Sequence, residues 1–400
     1  MLGKINTLRL IIFISICALL TVLFVGYSTT FGADENDSAI KKEDASSSIQ
    51  QSLDFLKKKR FIFDEFPSPS NSYWTTPRGI DSILERVKKA GFNVYAPALW
   101  HGRGARFAST DEVPREKGFE HQITGTDSDA FRYLVRKAHS KGIEVYVWFC
   151  VTLRDPPLNH LVELYDKDRT PSRAFDIHRP NFRRYILDVM LFLVRTYNID
   201  GFLLDMIRSQ GICTCTYCQK EYKARFNSDI ETDSKYWRVN HSAKQRLAVW
   251  QESAVSLLVS EFSRRAREVK PNLKIAASGH PDYELDSLHF QGRDTLSWFN
   301  KGWLDFIFAM DYNPTLNHEG YSKVLPRMRN KKGLVIIAGN FEKESKPVSD
   351  HLKAIVPRDA SIVGKHLSEA LKYPSEAVGV YWYYSLSEHQ INVLSNMPSN

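Results

Sequence analysis

Two aspartates stand where an apolar run meets polar residues. Asp205 closes GFLLD and Asp311 closes FIFAMD. A buried, unpaired carboxylate is costly, so an acid in this position calls for a partner, a ligand or water. Two such acids facing one another could cleave a glycosidic bond. One would act as nucleophile, base or charge stabiliser, and the other would protonate the leaving oxygen. The plainer alternative pairs Asp205 with Arg208 and lets Asp311 cap a loop, with Asp282 and Glu342 as substitutes for the second acid. Around the ends of similar apolar runs lie Trp100, His101, Trp148, Arg208, His280, Asp282, Tyr312, Asn340 and Trp382. Flat rings beside hydroxyl-binding polar groups suit a sugar, which has an apolar ring face and polar edges. No cluster of Arg or Lys accompanies them, which argues against a phosphate ligand.

Cysteines form a second group. Cys213, Cys215 and Cys218 make C-x-C-x2-C just after the run that ends in Asp205, and Cys150 ends the preceding apolar run. Four thiolates converging there could close a tetrahedral structural zinc site. Two disulfides are the competing arrangement, although such close spacing gives strained pairs. No open set of His and carboxylate ligands is present, so neither a catalytic metal nor an organic cofactor is expected.

The elements that must position these residues are legible from periodicity. Short, nearly continuous apolar runs occupy 60–66, 93–100, 144–151, 201–207, 274–279, 305–312, 334–340 and 379–385. Runs of this kind are parallel strands buried on both faces. Between them the apolar spacing is helical, as in Ile80, Ile83, Leu84 and Val87 before Gly91, or Phe131, Leu134, Val135 and Ala138 before Gly142. Asp127 or Ser128 is the expected N-cap of the latter. Eight strand–helix units predict a single (β/α)8 barrel over 59–400, and no glycine-rich phosphate loop supports a dinucleotide fold instead. In such a barrel the chemistry sits at the carboxyl ends of the strands, where the residues above collect.

The 400 residues, 43% apolar and 25% charged with a formal charge of +8, are ordinary for a globular chain. Basic and acidic residues are interspersed, so no nucleic-acid partner is expected. The first 33 residues differ: Lys4 and Arg9 precede an uncharged apolar stretch over 10–26. This is the pattern of a signal peptide or a membrane anchor and places the rest of the chain outside the cytoplasm. Residues 34–58, rich in Ser, Asp, Glu and Lys, read as a flexible tether.

With these motifs assembled, the chain resembles the glycosyl-hydrolase-like family 10 barrels. The likeness rests on DAFRYLVRKAHSKGIEVYVWF, from Asp129, and FDIHRPNFRRYILDVMLFLVRTYNIDGFLLDMI, from Phe175 to Ile207. WLDFIFAMDYNP and GVYWYYS are similar to that group's sixth and eighth strands. The resemblance implies a polysaccharide-acting glycosidase. The group often carries two adjacent acids at the end of strand four, whereas here Met206 follows Asp205. A more local segment, CTCTYCQKEYKARF, resembles the zinc-binding stretch of family 42 β-galactosidases. That implies Cys150, Cys213, Cys215 and Cys218 as ligands. Asp205 and Asp311 also match the strand-four and strand-six acids of family 27 and 36 glycosidases. The expectation is therefore an exported glycoside hydrolase acting on an extracytoplasmic oligo- or polysaccharide. A barrel that binds carbohydrate without cutting it is the alternative.

Overall fold

The computed structural model describes residues 58–65, 76–108, 113, 115–116, 119, 129–154, 174–281, 291–349 and 352–397. The expectations about 1–57, and Asp282, lie outside them. Among the described residues no helix is long and apolar enough to cross a membrane.

The eight apolar runs form a closed parallel barrel. Its strands are β1 (Lys59–Asp64), β2 (Val94–Trp100), β3 (Glu144–Cys150), β4 (Gly201–Asp205), β5 (Lys274–Gly279), β6 (Phe306–Asp311), β7 (Leu334–Gly339) and β10 (Ala377–Tyr381). They close in the order β1-β10-β7-β6-β5-β4-β3-β2. The remaining pair, β8 (Phe341–Ser349) and β9 (Leu352–Pro357), forms an antiparallel hairpin outside the barrel that periodicity did not suggest. The expected eighth strand also stops early, and Tyr383–Ser385 form a 3-10 turn beyond it.

Helices α1 (Pro77–Lys89), α2 (Ala130–Ser140), α3 (Pro180–Thr196), α4 (Thr216–Phe226), α5 (Ile230–Tyr236), α6 (His241–Val269), α7 (Thr295–Asn300), α8 (His318–Val324), α9 (Ala360–Leu371) and α10 (Glu388–Ser395) surround it. Their ends carry the expected chemistry. Thr76 Oγ1 accepts from the Gly79 amide and Pro77 opens α1. Asp129, one or two residues later than expected, caps α2 through the Phe131 and Arg132 amides.

Alternation along each strand divides the interior into two layers. Phe61, Phe63, Tyr146, Trp148, Leu203, Phe306, Phe308 and Ile337 fill the bore. Ile62, Tyr95, Phe149, Phe202, Leu204, Ile307 and Ile336 face the helices. Continuous apolar strands are thus explained by burial on both sides. The parity of each strand-end residue then decides whether it opens onto the bore or lies under a helix.

Candidate active site

Asp205 shares the bore-facing parity of Leu203, pairs in register with Cys150, and is partly exposed at the mouth. Its Oδ2 accepts from Trp148 Nε1 at 2.9 Å, across the β3–β4 ladder. Its Oδ1 accepts from the Met206 amide at 2.7 Å and from Ser278 Oγ at 2.5 Å. Donors from β3, β5 and its own chain therefore fix the carboxylate plane. Met206 itself sits at φ +48°, in the left-handed region where a side chain costs roughly 1–3 kcal/mol. Arg208 does not take the place of these donors; its guanidinium reaches Met206 Sδ at 3.1 Å.

A second acid lies at the same mouth. Glu65, directly after β1, accepts from Tyr381 Oη at 2.6 Å through Oε2 and meets His101 Nε2 at 3.0 Å through Oε1. Burial would raise its pKa, but the bonds from His101 and Tyr381, and then the charges of His101 and Arg106, hold it below the ordinary carboxylate value. Neither Glu65 nor Tyr381 stood out in the sequence. The signal available was the FDEF ending of the first apolar run.

Aromatic rings join the two acids. Tyr381 lies edge-on to Trp148 at 5.9 Å and stacks on Tyr312 at 4.9 Å and on Trp382 at 5.3 Å. Trp382 in turn meets Tyr384, which is 56% exposed, at 5.5 Å. Burial, followed by the charges of Asp205 and Glu65, drives the Tyr312 phenol well above its usual pKa. Tyr381 is raised by burial and then mainly by Glu65. Gly339 faces this cluster, and a Cβ there would approach Tyr312 to 3.0 Å.

Several expected site residues stand elsewhere. Asp311 is only 1% exposed and has the opposite parity, since it pairs with Ala338 while Met310 pairs with the bore residue Ile337. It lies in the outer layer, where its Oδ2 accepts from the Asn317 amide at 2.9 Å and Tyr321 Oη at 3.0 Å. It is a buried brace at the start of α8 and does not face Asp205. Glu342, its substitute, is about half exposed and lies 3.4 Å from Arg358 Nε.

Trp100 is also displaced from the mouth. A register shift between Ala98 and Trp100 turns its side chain outward, where it stacks on Phe149 at 5.4 Å. Asn340 is fully buried. Its amide donates to the Trp382 carbonyl and Gln390 Oε1, and its Oδ1 accepts from the Trp382 amide. These bonds hold the β10 exit in place. Trp382 is 7% exposed, with Nε1 donating to Ser385, so little of its ring is open for stacking. His280 is partly exposed just beyond β5. Trp148, Tyr312 and His101 join Asp205 and Glu65 at the mouth.

The cysteines separate. Cys150 is a bore residue beside Asp205, its thiol pushed up by burial and then by Asp205 and Glu65. Its place with Cys213, Cys215 and Cys218 is taken by Asp176, and the ligand atoms of these four lie within 4.8 Å of one another. Parity at the end of β3 points Cys150 inward, which excludes it from a cluster on the outside. Among the described residues Cys150, Cys213, Cys215 and Cys218 are all free of disulfides, so the two-disulfide arrangement is not adopted. Asp176 Oδ2 lies 3.3 Å from Cys218 Sγ and 3.8 Å from Cys215 Sγ. Zinc–sulfur bonds of about 2.3 Å and zinc–oxygen bonds of about 2.1 Å at tetrahedral angles give an S···O edge of roughly 3.6 Å, so this donor set fits zinc. The other oxygen of Asp176 is 3.2 Å from His178 Nδ1 and also accepts the His178 amide. The His178 ring stacks on Trp250 at 4.5 Å. Such outer contacts orient a metal-binding carboxylate.

The sequence pattern described as Glycosyl hydrolase-like 10 matches residues 68–329. No curated protein matches the chain. Among solved structures, the PgaB (BpsB) glycoside hydrolase domain from Bordetella bronchiseptica superposes with a TM-score of 0.60 at 13% identity, covering 86% of this chain and 99% of that one. A β-galactosidase from Rahnella sp. R3 gives 0.55 at 14% identity, covering 81% of this chain but only 50% of that one. The catalytic domain of a β-amylase from Paenibacillus polymyxa gives 0.52 at 9% identity, covering 84% and 95%. At such low identity these likenesses establish the barrel fold and leave the chemistry to the site.

Proposed function

The chain belongs to the glycosyl hydrolase-like 10 family, and from that premise we propose that it hydrolyses glycosidic bonds in an oligo- or polysaccharide lying across the barrel mouth. The observation that carries this reading is Asp205: a bore-facing carboxylate, open to water and fixed by Trp148, Ser278 and the Met206 amide. Three converging donors hold one orientation, as charge stabilisation at an anomeric centre requires. Asp205 acts as nucleophile or stabiliser of the positive charge that develops as the glycosidic bond opens. Trp148 and Tyr312 present apolar surface to the sugar, and His101, Arg208 and His280 lie at strand ends suited to its hydroxyls. The apolar stretch after Lys4 and Arg9 supports export, with an extracytoplasmic glycan as substrate. The test is product release from a polysaccharide panel by the parent and by Asp205→Asn. Cleavage by the parent and not the variant supports the proposal. Binding without cleavage by both favours a carbohydrate receptor, the reading motivated by Met206 standing where the resembled group often carries a second acid.

Cys213, Cys215, Cys218 and Asp176 would hold a structural zinc ion that ties the β4 exit to the segment before α3. When bound, the ion would supply cross-linking of these two segments. Metal analysis of purified protein is expected to give one zinc per chain. Asp176→Ala should lose it and Cys150→Ala should keep it. Zinc lost from the Cys150 variant instead would contradict the ligand set.

A further inference from the structure

We infer that Glu65 is the second carboxylate of this site, the group that exchanges a proton with the glycosidic oxygen. This rests on the hydrolytic reading of Asp205 and supplies what that reading lacks once Asp311 is placed under α8.

Of the other described acids near the strand ends, Asp311, Asp64 and Glu116 are buried on fixed partners, and Glu342 lies 3.4 Å from the Arg358 guanidinium. Asp311 is buried in the outer layer on Asn317 and Tyr321. Asp64 has the same outward orientation and accepts from Tyr95 Oη at 2.7 Å. Glu116, 3% exposed, is gripped by Arg103 and Arg106, each at 2.7 Å. Glu65 differs from the three buried acids in its exposure and from Glu342 in its partners. Its side chain is 26% exposed, enough for water and a leaving oxygen to reach it. Its side-chain hydrogen bonds come from a phenol and from a histidine that pairs as an ion only when protonated, while Arg106 acts on the carboxylate through its charge and not through a bond to it. It is also joined to Asp205 by a short path. Tyr381 donates to Glu65, its ring meets Trp148 at 5.9 Å, and Trp148 donates to Asp205. The charges of both acids fall on Tyr312, which stacks on Tyr381.

The chemistry balances with water as the only co-reactant. As the bond from the anomeric carbon to the leaving oxygen breaks, that oxygen keeps the electron pair and takes the proton from Glu65. Asp205 faces the positive charge on the carbon. Water then bonds to the carbon and returns its proton to Glu65, which ends the cycle protonated, as it began.

The groups facing Glu65 are His101 and Arg106 from the segment after β2 and Tyr381 from β10, with Asp205, Cys150 and Tyr312 across the mouth. The bonds from His101 and Tyr381 favour its ionised form, so the proton is lost at comparatively low pH. Turnover should therefore fall as pH rises, on a limb governed by Glu65. Removing the Tyr381 donor should move that limb upward.

The experiment uses the full chain and a glycan that the parent cleaves. Glu65→Gln is expected to lower kcat/KM by about 100-fold or more with an unchanged thermal midpoint. Glu65→Ala should regain activity in formate, which supplies the missing carboxylate, and Tyr381→Phe should shift the alkaline limb to higher pH. If the parent and Tyr381→Phe share one limb, if formate restores nothing to a folded Glu65→Ala, or if Glu65→Gln stays within about threefold while Asp205→Asn is inactive, the role assigned to Glu65 is wrong and that of Asp205 stands. A parent inactive on every glycan would overturn the hydrolytic reading itself and this role with it.

Discussion

Removing the side chain of Asn340 should unfold the protein more readily before it does anything else. Its amide makes three buried contacts: 2.9 Å to the Trp382 carbonyl, 3.1 Å to Gln390 Oε1 and 2.6 Å from the Trp382 amide. Each bond contributes about 1 kcal/mol net, and a buried N–H left without a partner costs a further 1–3 kcal/mol or so. Gln390 Oε1 also faces the Ser387 amide at 3.4 Å, so it is the least affected of the three. Asn340→Ala is therefore expected to lose roughly 3–5 kcal/mol. For a chain of this size that is about 2 °C per kcal/mol, or a fall of roughly 6–10 °C in Tm. Urea unfolding followed by tryptophan fluorescence would read the free energy, and a thermal scan the midpoint. Asn340→Asp would set a buried carboxylate oxygen against the Trp382 carbonyl and Gln390 Oε1 and should recover none of the loss. Stability changed by less than about 1 kcal/mol, with a raised KM for glycan, would refute the bracing role and return Asn340 to ligand contact.

Trp148→Phe keeps a ring in the bore but removes the donor to Asp205. A hydrogen bond to a charged group contributes about 1.5–3 kcal/mol, so kcat should fall roughly 10- to 100-fold, measured against an unchanged circular dichroism spectrum. Glu116 governs part of the acid stability. Burial raises its pKa, but the bonds and charges of Arg106 and Arg103 outweigh that and hold it low. A depressed folded-state pKa gives a contribution that is complete above the unfolded-state value of about 4.3 and is lost as pH falls through the lower folded one. Stability of the parent should therefore decline through that acid window, and urea midpoints against pH should show a shallower decline in Glu116→Gln.

The barrel was legible because its signal is redundant. Eight apolar runs separated by helical periodicity admit few topologies, and burial on both strand faces explains why the runs lack alternation. That same continuity hid the site. A run such as FIFAMD does not encode which of its residues face the bore. Met310 pairs with Ile337 and Asp311 with Ala338, and only the second member of each pair, placed by the closed ring, reveals the parity. Trp100 was unreadable for a related reason: one register shift after Ala98 reversed its face. Asp176 carries no cysteine-like spacing signal, so its approach to Cys213, Cys215 and Cys218 depends on how the segment before α3 packs over the β4 exit. Glu65 did not stand out because nothing in FDEF separates it from the outward Asp64.

Single-turnover cleavage of a responsive glycan by Asp205→Asn, compared with the parent at matched thermal midpoints, bears most directly on the chemistry assigned to the barrel mouth. Loss of a charge-stabilising carboxylate at the reacting centre should slow bond cleavage by about a thousandfold or more while glycan binding persists. A folded Asp205→Asn protein that cleaves within about tenfold of the parent rate would mean that the bond is broken somewhere other than beside Trp148 and Ser278.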